Sequence, residues 1–562
     1  MNRTDVDTAF CLRQAISVLE TEASMAPMKN EKTLHYQFAK NAKRHPFRRV
    51  FCQHGGEEYP MFKTLVSAVV LSREIRKVAG DSKYVGILIP NSVTLVTTIL
   101  ACLYADKVPV PLNHTVSKDT LRKSMDKAEI TTLLVDKAFL EKARIEWTDE
   151  MVELDKILEN IKPSSRFLWG MACLFLPHQE LMTYVSPQTH REVDGTAIVL
   201  FSSGSTGQPK GVMLSHHNVN ADADSFVRAL SWTEDDCVLG SLPLFHSFGM
   251  MTCFWLPAIV GCKVVYVSSP LECSQVEEAA VKNKISIILA TPTFMAAYLR
   301  RCSKETFANL RFAIVGAEKL RKDITIRFKE VTEGKAPLLE AYGCTELAPV
   351  VTVNIGSDLL EPGKECGKEG SIGVALQSIS VRIVDPVTRE ELPPGLDGLL
   401  LVKGPIVMQG YIADPVRTAN VISDGWYETG DIGHMDPDGY ITLSGRLSRF
   451  SKIAGEMVPH ELLECIMGEI IGRDERVFAV GGIPDKTKGE ALVVVYLKEK
   501  MNVTPEEMNE FLRKHNIPNL WIPRTANYRA VDSLPVTGTG KLDLVHLNEF
   551  IKKEFSSAFE KG

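Results

Sequence analysis

The run Ser202-Ser203-Gly204-Ser205-Thr206-Gly207-Gln208-Pro209-Lys210-Gly211 follows directly on the apolar stretch Ala197–Phe201. Its glycines let the backbone approach a polyanion, its hydroxyls and N–H groups can donate to one, and Lys210 neutralises charge. That is chemistry for cradling phosphate. The GxxxxGK[ST] spacing is absent, so this is not a Walker A loop. An ordinary Ser/Gly surface turn is the plain alternative, and so dense a cluster behind a buried strand weighs against it. Further clusters widen the reading. In Glu340-Ala341-Tyr342-Gly343-Cys344-Thr345-Glu346, Tyr342 can stack on a base, Thr345 can bind a phosphate oxygen and Glu346 can ligate Mg²⁺. Tyr427-Glu428-Thr429-Gly430-Asp431 offers a carboxylate to the two hydroxyls of a ribose. Gly445-Arg446 follows, and Pro535-Val536-Thr537-Gly538-Thr539-Gly540-Lys541 places a lysine on a Gly/Thr loop.

The elements that must position these groups come from hydrophobic patterning. Tyr84–Ile89 reads as a buried strand, followed by Pro90-Asn91 and a mostly apolar helix from Ser92 to Ala105. Thr132–Val135, Ala197–Phe201, Lys263–Val267, Ser286–Leu289 and Phe312–Val315 are further strands. Continuous apolar strands separated by helices predict parallel sheets covered on both faces, hence an α/β, doubly wound fold. From about Gly370 to Leu443 the texture changes to strands such as Ser378–Val384 and Gly398–Val402 between Pro/Gly turns, which predicts a small β-rich unit. Beyond it the alternation resumes. Thr504-Pro505-Glu506-Glu507 combines an N-cap, a proline at the first helical position and a capping-box glutamate.

The chain has 562 residues, with 64 Lys+Arg against 70 Asp+Glu and a formal charge of −6. That length predicts several packed units, and the near-neutral balance gives no polyelectrolyte signature, so nucleic acid is not an expected partner. From Gly445 onward, 17 basic residues balance 17 acidic ones, so the negative excess lies upstream. Twelve cysteines show neither a CxxC pair nor zinc spacing and read as buried small hydrophobes in a reducing compartment. The charged N-terminus has no signal-peptide core, and the expected location is cytoplasmic. Ser241–Cys262 contains no charge and is long enough to span a bilayer, but Pro243, Gly249, Pro257 and Gly261 interrupt it, so a buried helix with its connections is expected. Apolar Phe167–Pro177 is likewise read as a buried helix or strand, the alternatives being membrane contact or a cap on an apolar entrance.

SSGSTGQPKG, YGCTE, YETGD, GR and PVTGTGK, in this order and at these intervals, resemble the adenylate-forming (acyl-activating) superfamily. Weaker echoes are Val85–Asn113, Pro243–Gly249, Val315–Leu320 and Gly398–Tyr411, and the likeness spans roughly residues 35 to 550. It implies a large N-terminal adenylation domain (1–448, with the β-rich unit at about 365–444) and a smaller, mobile α+β C-terminal lid (449–562). It also implies a two-step reaction, in which a carboxylate attacks the α-phosphate of ATP and a thiol then takes the acyl group from acyl-AMP. By the same resemblance, Ser202 to Lys210 (Ser202, Ser203, Gly204, Ser205, Thr206, Gly207 and Lys210) would hold the β,γ-phosphates. Tyr342 and Gly316-Ala317-Glu318 would hold adenine, with Gly343 beside them in the ATP site. Thr345 would take the α-phosphate, Glu346 the Mg²⁺, and Asp431 with Arg446 the ribose. Lys541 would bridge carboxylate and α-phosphate, and His246 would gate the acyl pocket unless it is a hydrogen-bonded core histidine. The lid would turn at a hinge within Gly445–Arg449, with Arg449 at the pivot, and Lys452 would serve the thioester-forming conformation. The proline of Val458-Pro459-His460-Glu461-Leu462-Leu463-Glu464 comes one residue early for the family pattern, so Glu461 and Glu464 receive no role.

The segment Gly445–Val458 (GRLSRFSKIAGEMV) resembles the synthetase half of bacterial 2-acylglycerophosphoethanolamine acyltransferase/acyl-ACP synthetases. That implies a medium- or long-chain fatty acid as substrate and acyl carrier protein as acceptor, with coenzyme A as the alternative. Peripheral contact with the inner membrane surface, for which Phe167–Pro177 is the candidate, is a further expectation. The HxxxxD string His217–Asp222 would suit an acyltransferase, but it lies in the segment trailing the phosphate loop and is read as coincidence, leaving a stand-alone synthetase. A catalytically inactive ligand-binding homologue is the remaining alternative, and the joint presence of Glu346, Asp431 and Lys541 speaks against it.

Overall fold

Side-chain alternation in short strands decides the architecture. In the nine-stranded sheet, Val238, Val264, Tyr266, Ile287, Leu289 and Ile314 enter one core, while Leu239, Val265, Ile288, Ala290, Ala313 and Val315 enter another on the opposite face. A sheet buried on both sides leaves no face to solvate, so its strands read as unbroken apolar runs. The strands Glu58–Pro60, Arg49–Gln53, Lys263–Tyr266, Cys237–Gly240, Ile287–Ala290, Phe312–Val315, Leu338–Gly343, Val350–Val353 and Val374–Ala375 lie side by side in that order. Pairing is parallel from Arg49–Gln53 across to Leu338–Gly343 and antiparallel at the two edges. The structure, a computed structural model, describes residues 17–18, 21–22, 24–25, 31–56, 58–203, 208–356, 367–454, 456–472, 476–515, 517–536 and 542–556.

A second parallel sheet orders Val108–Pro111, Tyr84–Leu88, Leu133–Val135 and Met151–Glu153. The helix Val93–Tyr104 follows its strand as the pattern predicts, started by Ser92, whose Oγ accepts from Leu95 N at 3.1 Å. The region read as β-rich is an antiparallel sheet of Ser380–Val384, Gly398–Lys403, Trp426–Met435, Ile422–Ser423 and Ile441–Arg446. Nearer the C-terminus, Phe450–Ile453, Glu456–Pro459, Phe478–Asp485, Gly489–Leu497 and Tyr528–Val531 form a smaller sheet. Helices His460–Ile470 and Pro505–Lys514 cover one face, while Leu547 and Ile551 of Leu544–Glu554 cover the other. Thr504 and Glu507 close the predicted capping box reciprocally, at 3.2 and 2.7 Å. This is the mixed α/β fold that the patterning predicted, with the smaller α+β portion that the resemblance implied.

Two local readings gain detail and one changes. Thr196–Ser203, which ends in the first residues of the phosphate-loop run, and Pro209–Ser215 are two arms of an antiparallel hairpin, with Gly410–Tyr411 as a third strand. Ser241–Cys262 is buried as expected, in a short helix, a π-helical turn and a second short helix over Ser247–Val260. Among the described residues no helix is long and apolar enough to cross a membrane. Phe167–Pro177, however, is not buried. It belongs to the helix Pro163–Phe175, on which Phe167 and Phe175 are 70% and 71% exposed. Its apolar composition came from two faces, and only the face carrying Cys173 packs inward.

Candidate functional site

Four neighbouring parallel strands, Cys237–Gly240, Ile287–Ala290, Phe312–Val315 and Leu338–Gly343, deliver their C-terminal ends to one side of the large sheet. In open α/β sheets that edge is where ligands bind. The segment after Phe312–Val315 is Gly316-Ala317-Glu318. A Cβ on Gly316 would sit 2.9 Å from Ala341 O, so glycine alone allows this close approach to the neighbouring strand. Ala317 follows in the left-handed region at φ 68°. Glu318 is tied down by Thr293, whose Oγ1 donates to Oε2 at 2.6 Å. Leu320 N donates to Glu340 Oε1 at 3.2 Å, and burial raises that carboxyl to about 7.

The next strand ends in Tyr342-Gly343, where a Cβ on Gly343 would lie 1.7 Å from Pro349 O. The chain then turns through Thr345–Leu347, which buries Glu346. Tyr342 Oη donates to Asp431 Oδ2 at 2.5 Å, and Arg446 Nε meets Asp431 Oδ1 at 2.8 Å. The second contact is a product of sheet register, because Asp431 and Arg446 are direct partners on strands Trp426–Met435 and Ile441–Arg446. Asp431 N donates to Thr429 Oγ1 at 3.0 Å, which fixes the backbone beneath the carboxylate. Burial pushes the Asp431 carboxyl above the ordinary aspartate value, against the pull of Arg446. The Glu461 carboxylate, from the first turn of the helix His460–Ile470, pushes in the same direction as burial.

The phosphate hairpin closes the other side. Tyr411 pairs with Val212, so its ring lies under Lys210 Nζ, 5.4 Å from the centroid, while its hydroxyl donates to Glu346 Oε1 at 2.8 Å. Lys210 is half-buried, and its pKa is lowered by burial with Glu346 opposing. Ser202 stands opposite Lys210 across the hairpin. Ser247 and Thr345 share a hydroxyl–hydroxyl hydrogen bond of 3.2 Å. Tyr342, Asp431 and Arg446 thus form one bonded cluster and Glu346, Tyr411 and Lys210 a second, each within electrostatic reach of the other, with Thr345 next to Glu346 in the chain and Gly316–Glu318 on the adjacent strand end. Among the described residues no group of three or more His, Cys, Asp or Glu is placed to hold a metal ion by itself. One buried carboxylate suits Mg²⁺ that takes its remaining ligands from phosphate and water.

Other expectations fall elsewhere. Gly204, Ser205, Thr206, Gly207 and Lys541 lie outside the described residues, as does the side chain of Ser203. His246 is exposed, 4.7 Å ring to ring from Phe245, so the core-histidine alternative does not hold. Lys452 is exposed on Phe450–Ile453, and its charge is felt at Asp385 in the β-rich sheet. Arg449 is 3% exposed and donates to Val480 O at 2.8 Å and to Glu464. His217 pairs with Glu31 at 2.9 Å and Asp222 accepts from Val350 N at 3.2 Å, so the HxxxxD residues serve separate structural contacts. Tyr411, Ser247 and Glu461 are missed by sequence reasoning. Tyr411 ends the echo Gly398–Tyr411, but nothing in its spacing marks a partner for Glu346.

A family profile described as AMP-binding enzyme matches residues 38–412, and one described as AMP-binding enzyme C-terminal domain matches residues 477–541. A probable 4-coumarate–CoA ligase 2 of Dictyostelium discoideum is 32% identical over 364 residues, covering 62% of each chain. The chain therefore spans somewhat less than two thirds of that relative's length. A feruloyl-CoA synthase of an Amycolatopsis species is 28% identical, covering 87% of this chain and 93% of its own. A long-chain-fatty-acid–CoA ligase of Bacillus subtilis is 30% identical, over 66% and 64%. Among solved structures, ATP-bound MatB from Rhodopseudomonas palustris superposes with a TM-score of 0.73 at 22% identity, over 93% and 99% of the two chains. MenE from B. subtilis, in complex with ATP and magnesium, gives 0.74 at 22%, over 92% and 99%. At these identities the structural likeness speaks to the fold.

Proposed function

The chain belongs to the AMP-binding enzyme family, and from that premise we propose that it is a ligase that activates a fatty acid with ATP. Acyl-AMP and pyrophosphate form first, and the acyl group then passes to a phosphopantetheine thiol. The observation that carries this reading is a pair of adjoining clusters, one in which Asp431 is held by Tyr342 and Arg446 and one in which Glu346 is held by Tyr411 beside Lys210. A carboxylate has about four lone-pair sites, so Asp431 keeps capacity to accept from ribose hydroxyls after its two protein contacts. Tyr342, with Gly343 and the Gly316–Glu318 segment, walls the adenine. Ser202, Ser203, Gly204, Ser205, Thr206, Gly207 and Lys210 receive the β,γ-phosphates, and Thr345 the α-phosphate. Mg²⁺ supplies charge neutralisation on the phosphates when bound, and Glu346 is its protein ligand. No protein nucleophile is needed, so catalysis rests on positioning and on charge stabilisation by Lys210 and Lys541.

The proposal includes a lid of residues 449–562 that turns after adenylation. A change of partner supports its pivot: Arg446 is bonded to Asp431, whereas Arg449 is bonded to Val480 and Glu464. The proposed hinge therefore lies in the short turn Leu447–Arg449, between these two sets of bonds, with Arg449 at its end. His246 is proposed to gate the acyl pocket, which its exposed position allows.

The thiol acceptor has two supports. The named relatives are CoA ligases and synthases, which favours coenzyme A. The segment Gly445–Val458 favours acyl carrier protein. A competition assay decides between them, with purified protein, ATP, Mg²⁺, a long-chain fatty acid, coenzyme A and holo-carrier protein. Faster acyl-carrier formation supports the carrier, faster acyl-CoA formation the coenzyme. Absence of fatty-acid-dependent pyrophosphate release overturns the proposed activity.

A further inference from the structure

The helix Pro163–Phe175 is amphipathic in the wrong sense for a simple surface helix. Cys173 is fully buried and Trp169 half-buried on its inner side. Its outer side presents Phe167 at 70%, Leu168 at 64%, Met171 at 38%, Leu174 at 57% and Phe175 at 71% exposure. Positions 167, 168, 171, 174 and 175 follow the spacing of one helical stripe. Five side chains of this size leave a contiguous apolar surface on the order of several hundred Å², the scale at which a patch marks an interaction site. Beside it runs an open groove of about 390 Å³ between this helix and Met61–Ala79, lined by Phe62, Val66, Phe167 and Leu174.

The helix is held firmly on its inner side. Lys43 Nζ donates to Leu176 O at 2.6 Å, and Arg73 lies over the Trp169 ring at 4.7 Å. The exposed stripe is thus a fixed feature rather than a loosely packed end.

Charge identifies what the stripe meets. Between Glu159 and Glu180 the chain contains no Asp or Glu, but it carries Lys162 and Arg166. The polar groove lining is Lys63, Ser67 and Arg166, again without a carboxylate. Phe and Leu on one stripe with Lys and Arg at its rim is the pattern of a helix that lies in a membrane interface. We propose that Pro163–Phe175 docks the protein, in the plane of the bilayer, onto a surface of anionic phospholipid, with Phe167, Leu168, Leu174 and Phe175 entering the acyl boundary and Lys63, Lys162 and Arg166 meeting phosphate headgroups. This goes beyond the proposed reaction and does not depend on it, since none of these residues belongs to the nucleotide network.

The test is flotation of the full chain with vesicles of phosphatidylcholine alone and of phosphatidylcholine with phosphatidylglycerol. Binding to the anionic vesicles should weaken as salt is raised, and should drop about tenfold or more in a Phe167→Ser/Leu168→Ser/Phe175→Ser variant. All three positions are exposed, so the variant should keep the parent's thermal unfolding midpoint and its pyrophosphate exchange in detergent-free solution. Arg166→Gln with Lys63→Gln should lower binding to anionic vesicles and leave binding to neutral ones unchanged. No flotation, flotation unaffected by the serine variant, or equal binding to both vesicle types overturns the proposal. So does a dimer in sedimentation velocity that the serine variant converts to monomer, because the stripe would then be covered by a second copy.

Discussion

Glu346 illustrates how a residue's surroundings set its chemistry. Its carboxylate is buried, and one oxygen accepts from Tyr411 Oη at 2.8 Å. That bond fixes the plane of the carboxylate and leaves the other oxygen to the proposed Mg²⁺. Tyr411→Phe removes the bond without changing ring volume or the contact with Lys210. A hydrogen bond to a charged group contributes ~1.5–3 kcal/mol, so kcat/KM for fatty-acid-dependent pyrophosphate exchange should fall by about tenfold or more. The Mg²⁺ concentration at half-maximal rate should rise with it. An unchanged Mg²⁺ dependence would show that Tyr411 does not orient the ligand. His216 offers a second prediction at this scale. It is buried and accepts from Leu34 N through Nδ1 at 3.3 Å, and burial lowers its pKa to about 3. With the folded value below the unfolded one, the unfolded chain binds protons that the folded protein does not, so this group destabilises the fold as pH drops below about 6.5. A His216→Phe variant loses the hydrogen bond at all pH values but escapes the proton penalty. Its deficit in thermal unfolding midpoint against the parent should therefore narrow on going from about pH 7.5 to pH 5, by an amount equivalent to ~2 kcal/mol. A constant deficit would show that His216 titrates normally in the folded protein.

At the scale of elements, much was legible, and the exceptions share a cause. Strands such as Tyr84–Leu88 and Phe312–Val315 announce themselves because burial on both faces demands unbroken apolar runs. The Thr504 capping box is read from four residues because all its partners are local. Pairing partners are not local. Thr196–Ser203 and Pro209–Ser215 form a hairpin with Gly410–Tyr411 added from some 200 residues away, and that pairing, with the Met408 N–H donating to Glu346 O at 2.9 Å, puts Tyr411 against Glu346. The helix Pro163–Phe175 departs from the expected burial for a related reason: apolar content tells that a segment avoids water, not which neighbour covers it. Glu464 shows the same limit. It comes from an atypical motif that gave no role, yet it binds Arg449 and accepts from Val480 N at 2.6 Å. Both groups are buried, so losing Glu464 leaves Arg449 with the more distant and half-exposed Glu461, 3.7 Å away, as its acidic neighbour. Glu464→Leu should destabilise the sheet around Phe478–Asp485 by about 3 kcal/mol or more, whereas Arg449→Met with Glu464→Leu should recover most of that loss. Hydrogen exchange of the Phe478–Asp485 amides measures both, and equal loss in the single and double variants would argue against a coupled pair.

For the whole molecule, the proposed lid must present one lysine for adenylation and another for thioester formation. Lys452 and Lys541 are 89 residues apart in the chain, and placing both at a centre that already receives Lys210 would crowd like charges around it. Lys452 is exposed, its field reaching Asp385 rather than the Tyr342–Asp431 network, so in the arrangement described here it stands clear of the nucleotide residues. Rotation about Leu447-Ser448 would exchange the faces while leaving Arg446 with Asp431 and Arg449 with Glu464, because each arginine is bonded on its own side of the pivot. The two half-reactions should then separate genetically. Lys541→Ala should slow acyl-AMP formation by about a hundredfold or more, the scale of removing one charge-stabilising group, and should leave thioester formation from preformed acyl-AMP nearly intact. Lys452→Ala should do the reverse. Pyrophosphate exchange reads the first step, and release of AMP from supplied acyl-AMP plus thiol reads the second. If Lys541→Ala impaired both steps equally, a single static site would explain the chemistry better than a turning lid. A shorter or stiffer pivot makes the same distinction without touching either lysine. Replacing Leu447 by Pro fixes φ and removes a backbone donor at the swivel, and should depress the second step far more than the first.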